Sequence, residues 1–230
     1  MAIKQFNSAT IMKLTLFYLL SPIIGLILQC DNGSSSGKMM TNSTQTIVME
    51  GESIATLAGG CFWCTEAIFE KLNGVNRVIS GYAGGQTDNP SYETIGTGLT
   101  GHAEAIQIYY DSTTIDFPTL LEVFFMAAHD PTQVNRQGPD VGSQYRSIAF
   151  YRNITEKDII DQYIEDLNES GKWNQVIATE VTEFSKFYEA EDYHQDYYPA
   201  HPGNPYIQNV TRPKVEKFEK NYKSLLKQQP

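Results

Sequence analysis

The sequence predicts one α+β domain, built as a mixed β-sheet with flanking helices, and three observations predict it. From Ile47 onward, short apolar runs alternate with stretches of helical period, separated by long loops. No internal repeat or low-complexity stretch breaks that pattern. Of 230 residues, 41% are hydrophobic and 19% charged, so the chain has the apolar content to bury a core. The folded part is expected over residues 47–212.

Ser53–Ala58 is an apolar run closed by Gly59-Gly60, a buried strand followed by a tight turn. Cys61–Leu72 places Cys64, Ile68 and Leu72 four apart, with Glu66, Glu70 and Lys71 off that line; an amphipathic helix is expected, stopped by Asn73-Gly74. Val75–Tyr82 reads as a strand and Ala83–Gly101 as a glycine-rich loop. A strand at His102–Tyr110 is followed by a helix at Asp116–Ala128, with Asp116 as N-cap and Leu120, Leu121, Phe124 and Phe125 facing the core. Asp130–Gln144 reads as a second long loop and Arg146–Tyr151 as a strand. A helix at Thr155–Glu169 is expected to be opened by Thr155 with Asp158 three residues on. A strand at Val176–Phe184 and a last helix near Asp192–Tyr198 complete the set. Residues 213–230 are Lys-rich and polar, which predicts an exposed helix or frayed tail.

The N-terminal region reads as an address. Lys13 precedes an uncharged run from Leu14 to Leu28, interrupted by Pro22 and Gly25 and shorter than the ~20 residues of a spanning helix. A basic start before a short apolar core predicts a signal peptide over residues 1–29, with Met12 as an alternative start. Cys30 stands at the junction with the polar stretch Asp31–Gly37, an arrangement that resembles a bacterial lipoprotein signal. Gln29 departs from that pattern, and an ordinary signal peptide or anchor with an incidental cysteine is the alternative. The lipoprotein reading makes residues 30–46 a lipid-anchored flexible tether, lipidated at Cys30. It places the protein outside the cytoplasm, in the periplasm or at the cell surface, held to a membrane.

Seventeen Lys and Arg against 27 Asp and Glu leave a net charge of −10, which excludes a phosphate-neutralising nucleic-acid surface. Three cysteines are too few for a disulfide-stapled mini-fold or a four-thiolate zinc site. His102, His129, His194 and His201 are scattered, so no metal site is expected.

Gly59-Gly60-Cys61-Phe62-Trp63-Cys64 carries the chemistry. The glycines let the chain turn sharply out of a strand and set Cys61 at the first turn of a helix, where free N–H groups and the positive dipole end favour a thiolate. Cys64 lies one turn on, within the roughly 4.4–6.8 Å Cα separation that a disulfide spans. Cys61 is thus suited to attack and Cys64 to resolve what forms. Phe62 and Trp63 beside a reactive thiol make an apolar slot suited to a thioether-like substrate. A bare C-x-x-C also occurs in zinc half-sites and thioredoxin-type motifs. Two other classes therefore compete: a thioredoxin-like electron carrier, and a lipid-tethered binding protein with incidental cysteines.

Six blocks occur in order: Gly60–Cys64, Gly81–Gly85, Asn89–Tyr92, Thr100–Ala105, Arg136–Ser147 and Phe187–Gln195. Together they resemble the A-type peptide methionine sulfoxide reductases over about residues 53–218. The resemblance implies thiol-dependent reduction of methionine S-sulfoxide, free or in proteins, as repair of oxidative damage, on a two-layer sandwich of ferredoxin-like type. Cys61 matches the nucleophile. Phe62 and Trp63 match the pocket for the substrate's methyl group. Glu104 matches the acid that protonates the sulfoxide oxygen, assisted by Tyr92 and Tyr145, and Asp140 matches a polar residue near the substrate. No bound cofactor is expected. A thioredoxin-like dithiol is the expected reductant of a Cys61–Cys64 disulfide, and the protein is expected to act as a monomer.

The residues speak to Glu104 in two ways. Strand alternation puts it on one face with Ile106 and Ile108, where apolar neighbours would raise its pKa. Equally, Ala103 and Ala105 mark the buried face and turn Glu104 to water; the family motif favours the first. His194, between Tyr193 and Gln195, is expected to make a structural hydrogen bond.

Overall fold

Strand β1 (Glu52–Gly59) leads through a two-residue turn into helix α1 (Phe62–Phe69), which returns along strand β2 (Val75–Ala83). These elements belong to a computed structural model that describes residues 51–228. The expected signal segment, Cys30 and the tether lie outside the described residues. A five-residue helix α2 (Tyr92–Gly96) precedes strand β3 (Ala103–Asp111), and helix α3 (Phe117–Val123) runs on into a π-helical turn at Phe124–Ala128. A small hairpin, β4 (Arg136–Gln137) and β5 (Asp140–Val141), leads to strand β6 (Ser147–Tyr151) and helix α4 (Ile154–Glu169). Two short strands follow, β7 (Glu180–Glu183) and β8 (Phe187–Glu189), then helix α5 (Tyr197–Ala200), a π-helical turn (Ile207–Thr211) and helix α6 (Arg212–Asn221). Among these elements no helix is long and apolar enough to cross a membrane.

Six of the strands form one sheet in the order β7-β6-β1-β3-β2-β8, and β4 pairs with β5 apart from it. Its centre, β6-β1-β3-β2, is antiparallel throughout. Read with α1 and α3 it is a β-α-β-β-α-β unit of ferredoxin-like topology. β8 adds an antiparallel edge and β7 a parallel one, which makes the sheet mixed. On one face Leu57, Ile106, Ile108 and Ala149 pack with apolar residues of α1, α3, α4 and α6 in the main core. On the other, Ala58, Ala103, Ala105, Ile148 and Phe150 are covered by Phe184 and Phe187.

Several elements depart from expectation for identifiable reasons. Helix α1 is shorter than Cys61–Leu72 and is not amphipathic. Seven of its eight residues are buried, Glu66 among them at 1% exposure, because α6 and the 190–200 segment cover the side that charge alone assigns to solvent. The expected stop holds: Gly74 has φ 88°, and a Cβ there would meet Ile115 and Thr114 within 3 Å. Asp116 caps α3, accepting the Thr119 N–H at 2.9 Å, but α4 is opened by Asn153, which accepts the Glu156 N–H, two residues ahead of Thr155. The expected loops 83–101 and 130–144 hold α2 and the β4–β5 hairpin, and strand 176–184 shrinks to β7. In place of a helix at Asp192–Tyr198 there is a 3-10 turn (Asp192–His194) and α5, broken by Asp196 at φ 52°.

The polar stretch after residue 212 is not a frayed tail. Helix α6 buries Val215 and Phe218 against the main core, each at 1% exposure. Beyond it Leu225 accepts the Asn73 N–H at 2.8 Å, and Lys227 donates its N–H to Lys71 at 2.8 Å. Lysines dominate the composition while two apolar residues three apart do the packing, so the averaged polarity conceals the buried stripe.

Candidate active site

The turn out of β1 depends on Gly60, at φ 85°, where a Cβ would fall 2.5 Å from Gln137. It delivers Cys61 as the N-cap of α1. The first helical N–H, that of Phe62, donates to Glu104 Oε2 at 3.0 Å. Glu104 reaches it from β3, on the face it shares with Ile106 and Ile108. Ala103 and Ala105 are just as buried on the opposite side, so β3 is covered on both faces and alternation alone does not orient it. Burial pushes the Glu104 carboxyl up to about 8, against the Phe62 hydrogen bond that lowers it.

The helix N-terminus thus gives its first donor to Glu104 and not to the Cys61 sulfur. Cys61 is 8% exposed; burial, then its hydrogen bond with Cys64, pushes its thiol well up. Cys64 goes the other way, to about 6. The Cys61 hydrogen bond is the chief cause, with the Lys214 charge and the Thr211 hydroxyl assisting against burial. The surroundings thus favour ionisation at Cys64 over Cys61, and Cys64 Sγ lies 3.3 Å from Thr211 Oγ1.

Around this pair stand aromatic rings. Phe62 is fully buried and stacks on Tyr92 at 6.4 Å; Trp63 stacks on Tyr197 at 3.8 Å. Trp63 Nε1 donates to His194 Nδ1 at 3.2 Å, the structural bond expected of that histidine, and fixes its tautomer. Tyr92 is anchored through its backbone N–H to Glu191, whose other oxygen accepts the Tyr82 hydroxyl. Burial and the nearby Glu104 carboxyl push the Tyr92 phenol to about 12, and the same two causes raise Tyr145. Asp140 accepts the Tyr206 hydroxyl at 2.5 Å, and Tyr206 lies edge-on to Trp63.

Cys61, Phe62, Trp63, Cys64, Tyr92, Glu104, Asp140 and Tyr145, drawn from four separate stretches of chain, therefore converge on one place. Sequence reasoning missed Tyr206, Thr211, Tyr197 and Glu191. Glu191 lies inside the Phe187–Gln195 block and so carried a signal; Tyr206 and Thr211 follow an ordinary Gly-Asn-Pro turn and carried none. Among the described residues no group of three or more His, Cys, Asp or Glu is arranged to hold a metal ion.

Residues 53–226 match the family described as peptide methionine sulfoxide reductase. A peptide methionine sulfoxide reductase MsrA of Natronomonas pharaonis is 52% identical over 162 residues, 70% of this chain and 90% of the relative. One from Saccharolobus solfataricus is 48% identical over 174 residues, 76% of this chain and 97% of the relative. Among solved structures, reduced Mxr1 of Saccharomyces cerevisiae superposes with a TM-score of 0.63 at 36% identity, covering 67% of this chain and 88% of that one. Methionine sulfoxide reductase A of Corynebacterium diphtheriae gives 0.61 at 34% identity, over 68% and 78%. A match through nearly the whole described fold, with relatives at about half identity, leaves one conclusion: the chain belongs to the peptide methionine sulfoxide reductase family.

Proposed function

We propose that the protein reduces methionine S-sulfoxide, in oxidised proteins and free, with Cys61 as nucleophile, Glu104 as acid and Cys64 as resolving thiol. The observation that carries this reading is the buried Glu104 carboxyl, hydrogen-bonded to the residue next to Cys61 and holding its proton up to about pH 8. An acid that stays protonated at neutrality beside a nucleophile suits a leaving oxygen that must be neutralised.

The substrate's methyl and sulfur enter the aromatic slot of Phe62 and Trp63, where sulfur–ring contacts are favourable. Tyr92 and Tyr145, kept protonated, donate to the sulfoxide oxygen. As the Cys61 sulfur attacks the sulfoxide sulfur, Glu104 protonates the oxygen and takes up the proton that Cys61 gives off. The sulfoxide sulfur gains two electrons and leaves as the thioether; Cys61 loses two and remains as sulfenic acid. Cys64 then attacks that sulfur, water departs, and the Cys61–Cys64 disulfide closes. A thioredoxin-like dithiol reopens it by exchange. Asp140 acts through Tyr206, whose hydroxyl it holds.

An assay with the two separated sulfoxide epimers tests the reading, since each epimer has its own class of reductase. Turnover of the S epimer alone is expected; turnover of neither, alongside reduction of protein disulfides, would identify an electron carrier instead. The N-terminal region supports a second proposal, that Cys30 is lipidated and holds the enzyme to an extracytoplasmic membrane face. Lys13, the apolar run to Leu28 and the polar stretch after Cys30 support it. Intact mass of the membrane-extracted protein checks cleavage and acylation together, and an unmodified Cys30 would refute it.

A further inference from the structure

We propose that Thr211 is a positioning residue for the second thiol, its hydroxyl donating to Cys64 Sγ and holding that sulfur as the anion that closes the disulfide. The inference rests on the reading above, in which Cys64 resolves a sulfenic acid on Cys61.

Thr211 is wholly buried and ends the π-helical turn Ile207–Thr211. A buried helical threonine ordinarily returns its hydroxyl to a carbonyl of the preceding turn. Here, among the described residues, the hydroxyl makes one hydrogen bond, to Cys64 Sγ at 3.3 Å. A π-helical turn inserts an extra residue and so re-aims the side chain that follows, which accounts for this orientation. A thiolate has no proton to give, so whenever Cys64 is ionised Thr211 is the donor.

The other partners of Cys64 are lost or committed elsewhere once Cys61 is oxidised. In the resting pair the Cys61 thiol donates to it. That donor disappears once Cys61 is oxidised to sulfenic acid. Tyr206 also faces both sulfurs, but its single hydroxyl hydrogen is committed to Asp140 at 2.5 Å. Lys214, one turn into α6, contributes charge but no hydrogen bond. In the oxidised enzyme Thr211 is therefore the fixed hydroxyl that remains for the Cys64 anion.

The step it serves balances within the protein. Cys64 thiolate attacks the sulfenic sulfur, the S–S bond forms, and the S–O bond breaks. The oxygen leaves as hydroxide and takes the Glu104 proton to become water. No electrons enter; the oxidation carried by Cys61 becomes shared between two sulfurs.

The test is a single-turnover experiment on the full chain with excess methionine sulfoxide, reading methionine release and Cys61–Cys64 disulfide formation separately across pH. For Thr211→Val the methionine burst is expected as in the wild type. Disulfide closure at neutral pH should slow by about tenfold, the loss of one hydrogen bond to a charged group. Its pH midpoint should move upward, so that closure recovers in alkali. Thr211→Ser, which keeps the hydroxyl, should restore both rate and midpoint. Thr211→Ala removes the same hydroxyl without a new methyl and should repeat the loss if the valine variant does not fold. Unchanged closure and midpoint in the valine or alanine variant would overturn the proposal. So would equal slowing in the serine variant, which would assign Thr211 to packing. Absence of a burst or of the disulfide in the wild type would instead strike the catalytic reading on which the proposal rests.

Discussion

Glu104 accepts the backbone N–H of Phe62 at 3.0 Å, so the acid of one central strand is tied to the first residue of the helix that Cys61 opens. The bond fixes the distance between proton donor and nucleophile through main-chain atoms. It also engages the carboxyl without fully ionising it, because burial outweighs the single donor.

Glu104→Gln should keep that contact while losing the transferable proton. We expect kcat to fall by at least about 100-fold with KM little changed, the range of a general acid. In the wild type the acid form exists below a pKa of about 8, so the rate of the reductive step should decline as pH rises through that value. Steady-state kinetics of both proteins across pH check this; an undiminished kcat in the variant would return Glu104 to a packing role.

The two cysteines should separate cleanly. Cys61→Ser is expected to release no methionine at all. Cys64→Ser should release about one equivalent and then stall with a dithiol donor, leaving a sulfenic acid that a trapping reagent captures. Sustained turnover by Cys64→Ser with that donor would remove Cys64 from the cycle.

Glu66 offers a stability prediction independent of catalysis. Burial, then the neighbouring Glu70, raises its carboxyl from 4.5 to about 8. Glu104 is raised over the same interval. Both folded-state values lie above the unfolded ones, so the native chain binds more protons between those limits. Their stabilising contribution is complete below about 4.5 and is lost as pH rises through 8. Thermal melts of Glu66→Gln across that interval should show a shallower decline than the wild type; parallel curves would contradict the assignment.

Phe218 tests whether the C-terminal helix belongs to the core. Phe218→Ala should destabilise the fold by about 3–5 kcal/mol, the usual consequence of truncating a buried aromatic. Urea unfolding measures it, and a change near zero would make α6 an appendage.

How much of this was legible in the sequence varies with the range of the forces involved. Strands β1, β2, β3 and β6 were readable because each is a short apolar run bounded by turn residues. β8 was not: three residues become a strand only by pairing with the far end of β2, a partner that local pattern does not reveal. Helix α1 was misjudged as amphipathic because Glu66 counts as a solvent marker, whereas it is buried and bonded to Ser80. Within the site, Cys61, Cys64 and the aromatic pair were readable from one hexapeptide. The thiolate-favouring surroundings of Cys64 were not, since Thr211 and Lys214 lie more than a hundred residues downstream.

The pairing of Asn73 and Lys71 with Leu225 and Lys227 has a consequence for how the molecule is made. The stretch that clamps the reactive helix, together with the tyrosine and threonine that face its sulfurs, leaves the ribosome well after the cysteines do. A nascent chain therefore carries both cysteines before it carries their covering. Synthesis of that later stretch, rather than the appearance of the thiols, is what completes the site.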